Sequence, residues 1–126
     1  MKSFLYTLCL LFVVLMSCGS EVKDLENFDE ETWQSDPNGC DGLRSAMVEN
    51  LYDVKDELKG LNQNDITALI GKPDRHELYK RSQKFFYYQI SPHSSCESGD
   101  DENIYLSIRF NATGLAKEVQ IMNYQP

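Results

Sequence analysis

The sequence predicts an α+β domain in which two N-terminal helices pack on one face of an antiparallel meander sheet of three to four strands, in the order α-α-β-β-β-β. Three observations predict it. Leu43, Met47, Leu51, Val54 and Leu58 recur at helical spacing. A second apolar group, Ile66, Leu69 and Ile70, is closed by Gly71 and Pro73. After Pro73 the chain turns aromatic, β-branched and alternating. A helix with one apolar stripe and a sheet with one apolar face each need a partner layer, so the two are expected to cover each other.

The chain begins MKSFLYTLCLLFVVLMSC: one lysine, an apolar run over residues 4–16, a serine and a cysteine. That run is shorter than the roughly 20 apolar residues of a spanning helix and has the layout of a secretory signal. Its end, Leu15-Met16-Ser17-Cys18, resembles the lipobox of bacterial lipoproteins. The resemblance implies a signal peptide over residues 1–17 and a Cys18 that is diacylated, with chains of the palmitate class, and becomes the mature N-terminus. An ordinary signal cut near Ser17 or Gly19, or an uncleaved anchor helix, are the alternatives. Residues 18–32 continue as the lipidated Cys and an acidic tether, with only Val22, Leu25 and Phe28 as larger apolar residues. A surface-export address is the other reading of that acidic run.

Of the 126 residues, 41% are hydrophobic and 25% charged, a balance that fits one folded domain. The net charge of −8, with no evident Lys/Arg cluster, argues against nucleic acid, whose phosphates need a basic footprint. It argues equally against anionic lipid held by charge alone.

The domain proper is expected over residues 33–126. WQSDPNGC opens it as a turn-rich loop, and a helix follows over residues 41–58 with Asp41 as N-cap. A break at residues 59–61 leads to a second helix, where Asn62 caps, Asp65 complements the exposed N–H groups, and Gly71 provides a left-handed end. Strands are expected over residues 76–80, 84–90 and 103–110; in the last, Ile104, Leu106, Ile108 and Phe110 share one face, and Tyr105, Ser107 and Arg109 the other. Asn111-Ala112-Thr113-Gly114 makes a hairpin turn, and Val119 and Ile121 continue the apolar face in a final strand before Tyr124.

From Gly60 to Asp74 the chain reads GLNQNDITALIGKPD. This resembles the G-M/L-S/T-x-x-E/D/Q-V-x-x-L/I-L/I-G-x-P pattern of small outer-membrane lipoproteins of the BamE (SmpA/OmlA) type, which share their fold with domains similar to the β-lactamase inhibitor protein. The Tyr87-Tyr88 strand and the hairpin from Ile108 through Gly114 to Val119 follow the same order, so the likeness covers residues 60–122. It implies a BamE-like domain held by lipid at the bacterial outer membrane, facing the periplasm or alternatively the cell surface. It also implies a part in outer-membrane protein assembly or envelope maintenance. Asn62 stands where the family has Ser or Thr, the first helix is longer and more acidic, and the cysteine pair is an addition. No partner-binding residue carries over position by position.

With Cys9 in the signal and Cys18 lipidated, Cys40 and Cys96 remain, and an oxidising compartment makes a disulfide the default. A metal site of Cys40, His93 and Cys96 is the alternative; it lacks a fourth ligand at zinc spacing. In the loop SPHSSCESGDDE, Glu97, Asp100, Asp101 and Glu102 offer hard oxygens for calcium, yet without the EF-hand pattern they read as a solvated loop. Asn111-Ala112-Thr113 spells a glycosylation acceptor that its turn role explains. His76 and His93 belong to no recognisable triad, so no catalytic residue, cofactor or resident metal is expected.

The aromatics Trp33, Phe85, Phe86, Tyr87 and Tyr88 divide between core and outer sheet face. The expected partner-binding set is Phe85, Tyr87, Tyr105 and Arg109, with Asp100 and Asp101 in the loop. The resulting expectation is a non-enzymatic, lipid-anchored envelope protein acting as a scaffold or binding module for another envelope protein. An inhibitor of a periplasmic or secreted enzyme, or a lipoprotein binding calcium or a small ligand, are the alternatives.

Overall fold

A computed structural model describes residues 24–99 and 102–124. The signal segment, the lipidation candidate Cys18, and Asp100 and Asp101 lie outside the described residues.

Four strands, β1 (Arg75–Tyr79), β2 (Gln83–Gln89), β3 (Asn103–Phe110) and β4 (Ala116–Tyr124), form one antiparallel sheet in the order β1-β2-β3-β4. The α+β class and the meander are as the alternation predicts. Register explains why one face is apolar: Phe86 pairs with Ile108 and Ile108 with Val119, while Tyr88 pairs with Leu106 and Leu106 with Ile121. These rows point one way because strand side chains alternate. The β3–β4 turn closes on Asn111, whose Oδ1 accepts from the Thr113 and Leu115 N–H groups at 3.2 and 2.9 Å.

The helical layer consists of α1 (Glu30–Gln34), a 3₁₀ turn (Pro37–Gly39), α2 (Leu43–Ala46), α3 (Val48–Val54), a second 3₁₀ turn (Lys55–Leu58) and α4 (Gln63–Ile70). Trp33, Leu51, Val54, Leu58, Ile66, Leu69 and Ile70 from this layer join Phe86, Tyr88, Leu106, Ile108, Phe110 and Val119 of the sheet in one buried cluster. α4 starts and stops where the sequence places it. Asn62 Oδ1 accepts from the Asp65 N–H at 2.8 Å, and Gly71 ends the helix at φ +81° and ψ −177°, a positive-φ conformation outside the left-handed helical well and open only to glycine.

The first predicted helix is corrected. Residues 41–58 form α2, α3 and a 3₁₀ turn instead of one rod, with non-helical geometry at Met47. Asp41 is not the cap: Gly42, at φ +74°, occupies that position, and the first free N–H groups go to Asp36. With this start Leu43 is left 39% exposed and Arg44 is buried in its place. The closing 3₁₀ turn tightens the chain so that Leu58 is fully buried.

The tether is corrected as well. Leu25 and Phe28 are buried, Phe28 lies 5.7 Å from the Trp33 ring between centroids, and α1 is capped by Asp29, whose Oδ1 accepts from the Thr32 N–H at 3.1 Å. The fold therefore begins near Leu25, not Trp33. Burying two large apolar side chains is worth about 1.5–3 kcal/mol each, enough to hold a short acidic segment down.

Candidate functional site

Three charged residues meet where the helical layer joins the sheet. Asp36 is fully buried, and its carboxylate accepts from the Asp41 N–H at 2.8 Å and the Arg44 N–H at 3.1 Å. The Arg44 guanidinium donates through Nε to the Trp33 carbonyl at 2.9 Å and through Nη1 to Asp74 Oδ2 at 2.6 Å and the Gln89 carbonyl at 3.1 Å. Its central carbon also sits 4.8 Å from the Trp33 ring centroid. Asp74 in turn accepts from the Asn38 and Gln89 N–H groups at 3.0 and 2.7 Å. The pair is thus buried and held by main-chain as well as ionic bonds, a clamp between α2 and the β1–β2 end of the sheet. A cavity of about 250 Å³ adjoins it, lined by Gln34, Arg44, Gly71, Lys72 and Asp74 among others. That is smaller than the roughly 300–1,000 Å³ of ordinary ligand clefts.

Cys40 and Cys96 are joined at 1.98 Å, with Cα atoms 5.4 Å apart, across 56 positions. Their sulfurs are consumed by each other, which removes the Cys40, His93 and Cys96 metal alternative. The bridge fastens the loop after β2 to the 3₁₀ turn, helped by the His93 N–H donating to the Asn38 carbonyl at 3.0 Å and Ser98 Oγ to the Cys40 carbonyl at 3.2 Å. Gly39 is required there: it has φ +66°, and a Cβ would stand 2.6 Å from the Ile90 carbonyl oxygen. Among the described residues no three His, Cys, Asp or Glu side chains gather into a metal site.

Among the described residues no helix packs on the other side of the sheet. Across it the register lines up Glu77, Phe85, Arg109 and Glu118 in one row and Arg75, Tyr87 and Ser107 in the next, with Tyr105 opposite Met122. The aromatics touch in sequence: Tyr79 meets Phe85 edge-on at 5.7 Å, Phe85 stacks on Tyr87 at 5.9 Å, and Tyr87 meets Tyr105 edge-on at 5.6 Å. Arg75 lies over Tyr87 and Tyr105 at 5.3 and 5.8 Å. Tyr87 donates its hydroxyl to Glu77 at 3.1 Å; partial burial first, then Glu77, pushes that hydroxyl above the ordinary tyrosine value. Arg109 bridges Glu118 at 3.1 Å and holds its carboxyl below the ordinary range.

Of the residues read as a binding set, Phe85, Tyr87, Tyr105 and Arg109 therefore stand together on this face, half-buried. Asp100 and Asp101 lie outside the described residues. Phe86, Tyr88 and Trp33 belong to the core. Two features were missed. Arg44 is in phase with Met47, Leu51, Val54 and Leu58 at spacings of three and four, a signal that counting only apolar residues passes over. Five of the twelve Lys and Arg, namely Lys72, Arg75, Lys80, Arg81 and Lys84, fall on or beside β1; whole-chain charge hid this cluster. No family model, curated protein or solved structure matches this chain.

Proposed function

We propose that this is a non-enzymatic cell-envelope protein, anchored at the bacterial outer membrane through lipid on Cys18 and resembling the BamE-like lipoproteins, whose uncovered sheet face binds another envelope protein. The observation that carries the reading is the continuous row of Tyr79, Phe85, Tyr87 and Tyr105 on the face that none of the described helices covers. Aromatic side chains bring large contact area at low entropic cost, and arginine beside them adds directional polar contacts; both are enriched at the cores of protein interfaces.

The test places a photo-crosslinking amino acid at Phe85 or Tyr105 in cells, with Tyr52, 56% exposed on the helical layer, as the control. A discrete protein adduct from the two sheet positions and none from Tyr52 is the expected result. Adducts from Tyr52 alone, or from no position, remove this face as the contact surface. The inhibitor reading is favoured by a different observation, the disulfide that fixes the loop after β2. There, crosslinks would come from Ser94 or Ser95 and the adduct would be a hydrolase.

A further inference from the structure

The two edges of the sheet end differently. Along the first part of β4, other parts of the chain already occupy the open side: the Gly60 N–H donates to the Ala116 carbonyl at 2.8 Å and the Ala116 N–H to the Leu61 carbonyl at 2.8 Å. Lys55 Nζ reaches the Val119 carbonyl at 3.4 Å. Along β1 there is no such cover. Among the described residues the main-chain bonds of Arg75–Tyr79 run to β2 alone, and all five residues are exposed. Main-chain groups of an antiparallel strand point alternately to its two sides, so one side of β1 keeps a row of free N–H and C=O groups, a template for another strand.

Charge distinguishes this edge from the rest of the molecule. From Lys72 to Lys84 the chain has five Lys and Arg and His76, against Asp74 and Glu77. Asp74 is spent on Arg44, so Glu77, which accepts from Tyr87 and keeps its charge, is the one acid that faces the five bases of this segment. The remaining chain holds 18 acids and seven bases. At the hairpin tip Arg81 and Ser82 both have φ +61°, a conformation glycine takes freely and other residues rarely. The tip thereby keeps a guanidinium where turn chemistry alone favours Asn-Gly. Leu78 and Tyr79, 76% and 51% exposed, add apolar surface beside it.

We infer that the β1 edge accepts an extended, acidic segment of a partner protein as a fifth strand. Main-chain bonds to β1 supply the docking, Lys80 and Arg81 meet the segment's carboxylates, and its apolar side chains, which share one face, meet Tyr79 on the aromatic side or Leu78 on the other. This deepens the protein-binding reading and rests on it, because a strand added here lies next to the aromatic face.

The full chain in mild detergent is titrated with a short capped peptide alternating glutamate and valine, and with the same peptide carrying lysine for glutamate. Backbone hydrogen exchange reads where each sits. The glutamate peptide is expected to bind about tenfold more tightly, to slow exchange in Arg75–Tyr79, and to weaken as salt rises. Lys80→Glu with Arg81→Glu, both at exposed positions, should erase or reverse that preference, whereas Tyr105→Ser on the face should leave it unchanged. Equal binding of both peptides, no binding of either, or protection on β3 in place of β1 overturns the assignment. So does protection of β1 that grows with protein concentration in the absence of peptide, which would assign the edge to a second copy. In each of these cases the crosslinks at Phe85 and Tyr105 still decide the face separately.

Discussion

Phe85 and Phe86 are chemically identical neighbours on β2 with opposite circumstances. Phe86 meets Phe110 edge-on at 4.7 Å under the helical layer, while Phe85 lies half-buried between Tyr79 and Tyr87 on the open side. The same holds one step along for Tyr88, fully buried with its hydroxyl on the Gly71 carbonyl at 2.8 Å, and Tyr87, which reaches Glu77 near solvent. What separates the pairs is the layer above them, not the residue type. On the proposed reading inner aromatics serve stability and outer ones contact, and substitution can drive the two apart.

The largest contrast is expected at the inner row. Phe110→Ala should lower the free energy of unfolding in urea by about 3–5 kcal/mol, the range for truncating a buried aromatic. Phe85→Ala should cost under about 1 kcal/mol in the same measurement while abolishing the crosslinked adduct at Tyr105. Equal losses from the two would mean that the outer face is structural.

Arg44→Met should cost about 3 kcal/mol, because it leaves the Asp74 carboxylate buried without its cation; Arg44→Met with Asp74→Leu should recover most of that loss. A double variant no better than the single one would show that the main-chain bonds of the clamp, not its ion pair, carry its weight. Asn62→Ala, which removes the side-chain cap of α4, should cost about 1 kcal/mol and leave crosslinking intact.

The mildest test uses pH. Burial first, then Asp74, raises the Tyr88 hydroxyl well above the ordinary tyrosine value, with Arg44 opposing. The folded state then holds its proton more tightly than the unfolded chain. Stability is expected to be full below about pH 10, where both states are protonated, and to fall as pH rises beyond it. Tyr88→Phe should flatten that alkaline slope in chemical denaturation at a series of pH values, whereas Tyr105→Phe should not.

What could be read from the sequence follows a physical divide. α4, β3 and the meander were legible because their signals are local: an Asn cap, a Gly-x-Pro stop and strict alternation. Residues 41–58 misled because Leu43 and Arg44 both fit a helical stripe, and only the distant partners Asp74 and the Gln89 carbonyl select Arg44 for burial. Leu25 and Phe28 read as tether because their window is acidic, while the core they join, Trp33 beside Phe28 included, lies outside it. On the outer face, Phe85, Tyr87, Tyr105 and Arg109 were nameable from alternation alone. That Arg75 lies over two of those rings depends on the β1 register, which no single strand encodes.

The burial of Leu25 also sets a distance. Between Cys18 and Leu25 lie six residues, which fully extended span about 20–25 Å; a tether running to residue 32 would allow about 50 Å. With Cys18 in the lipid, as proposed, the short leash confines the domain to the layer next to the bilayer, so any partner of its open face is met close to the membrane surface.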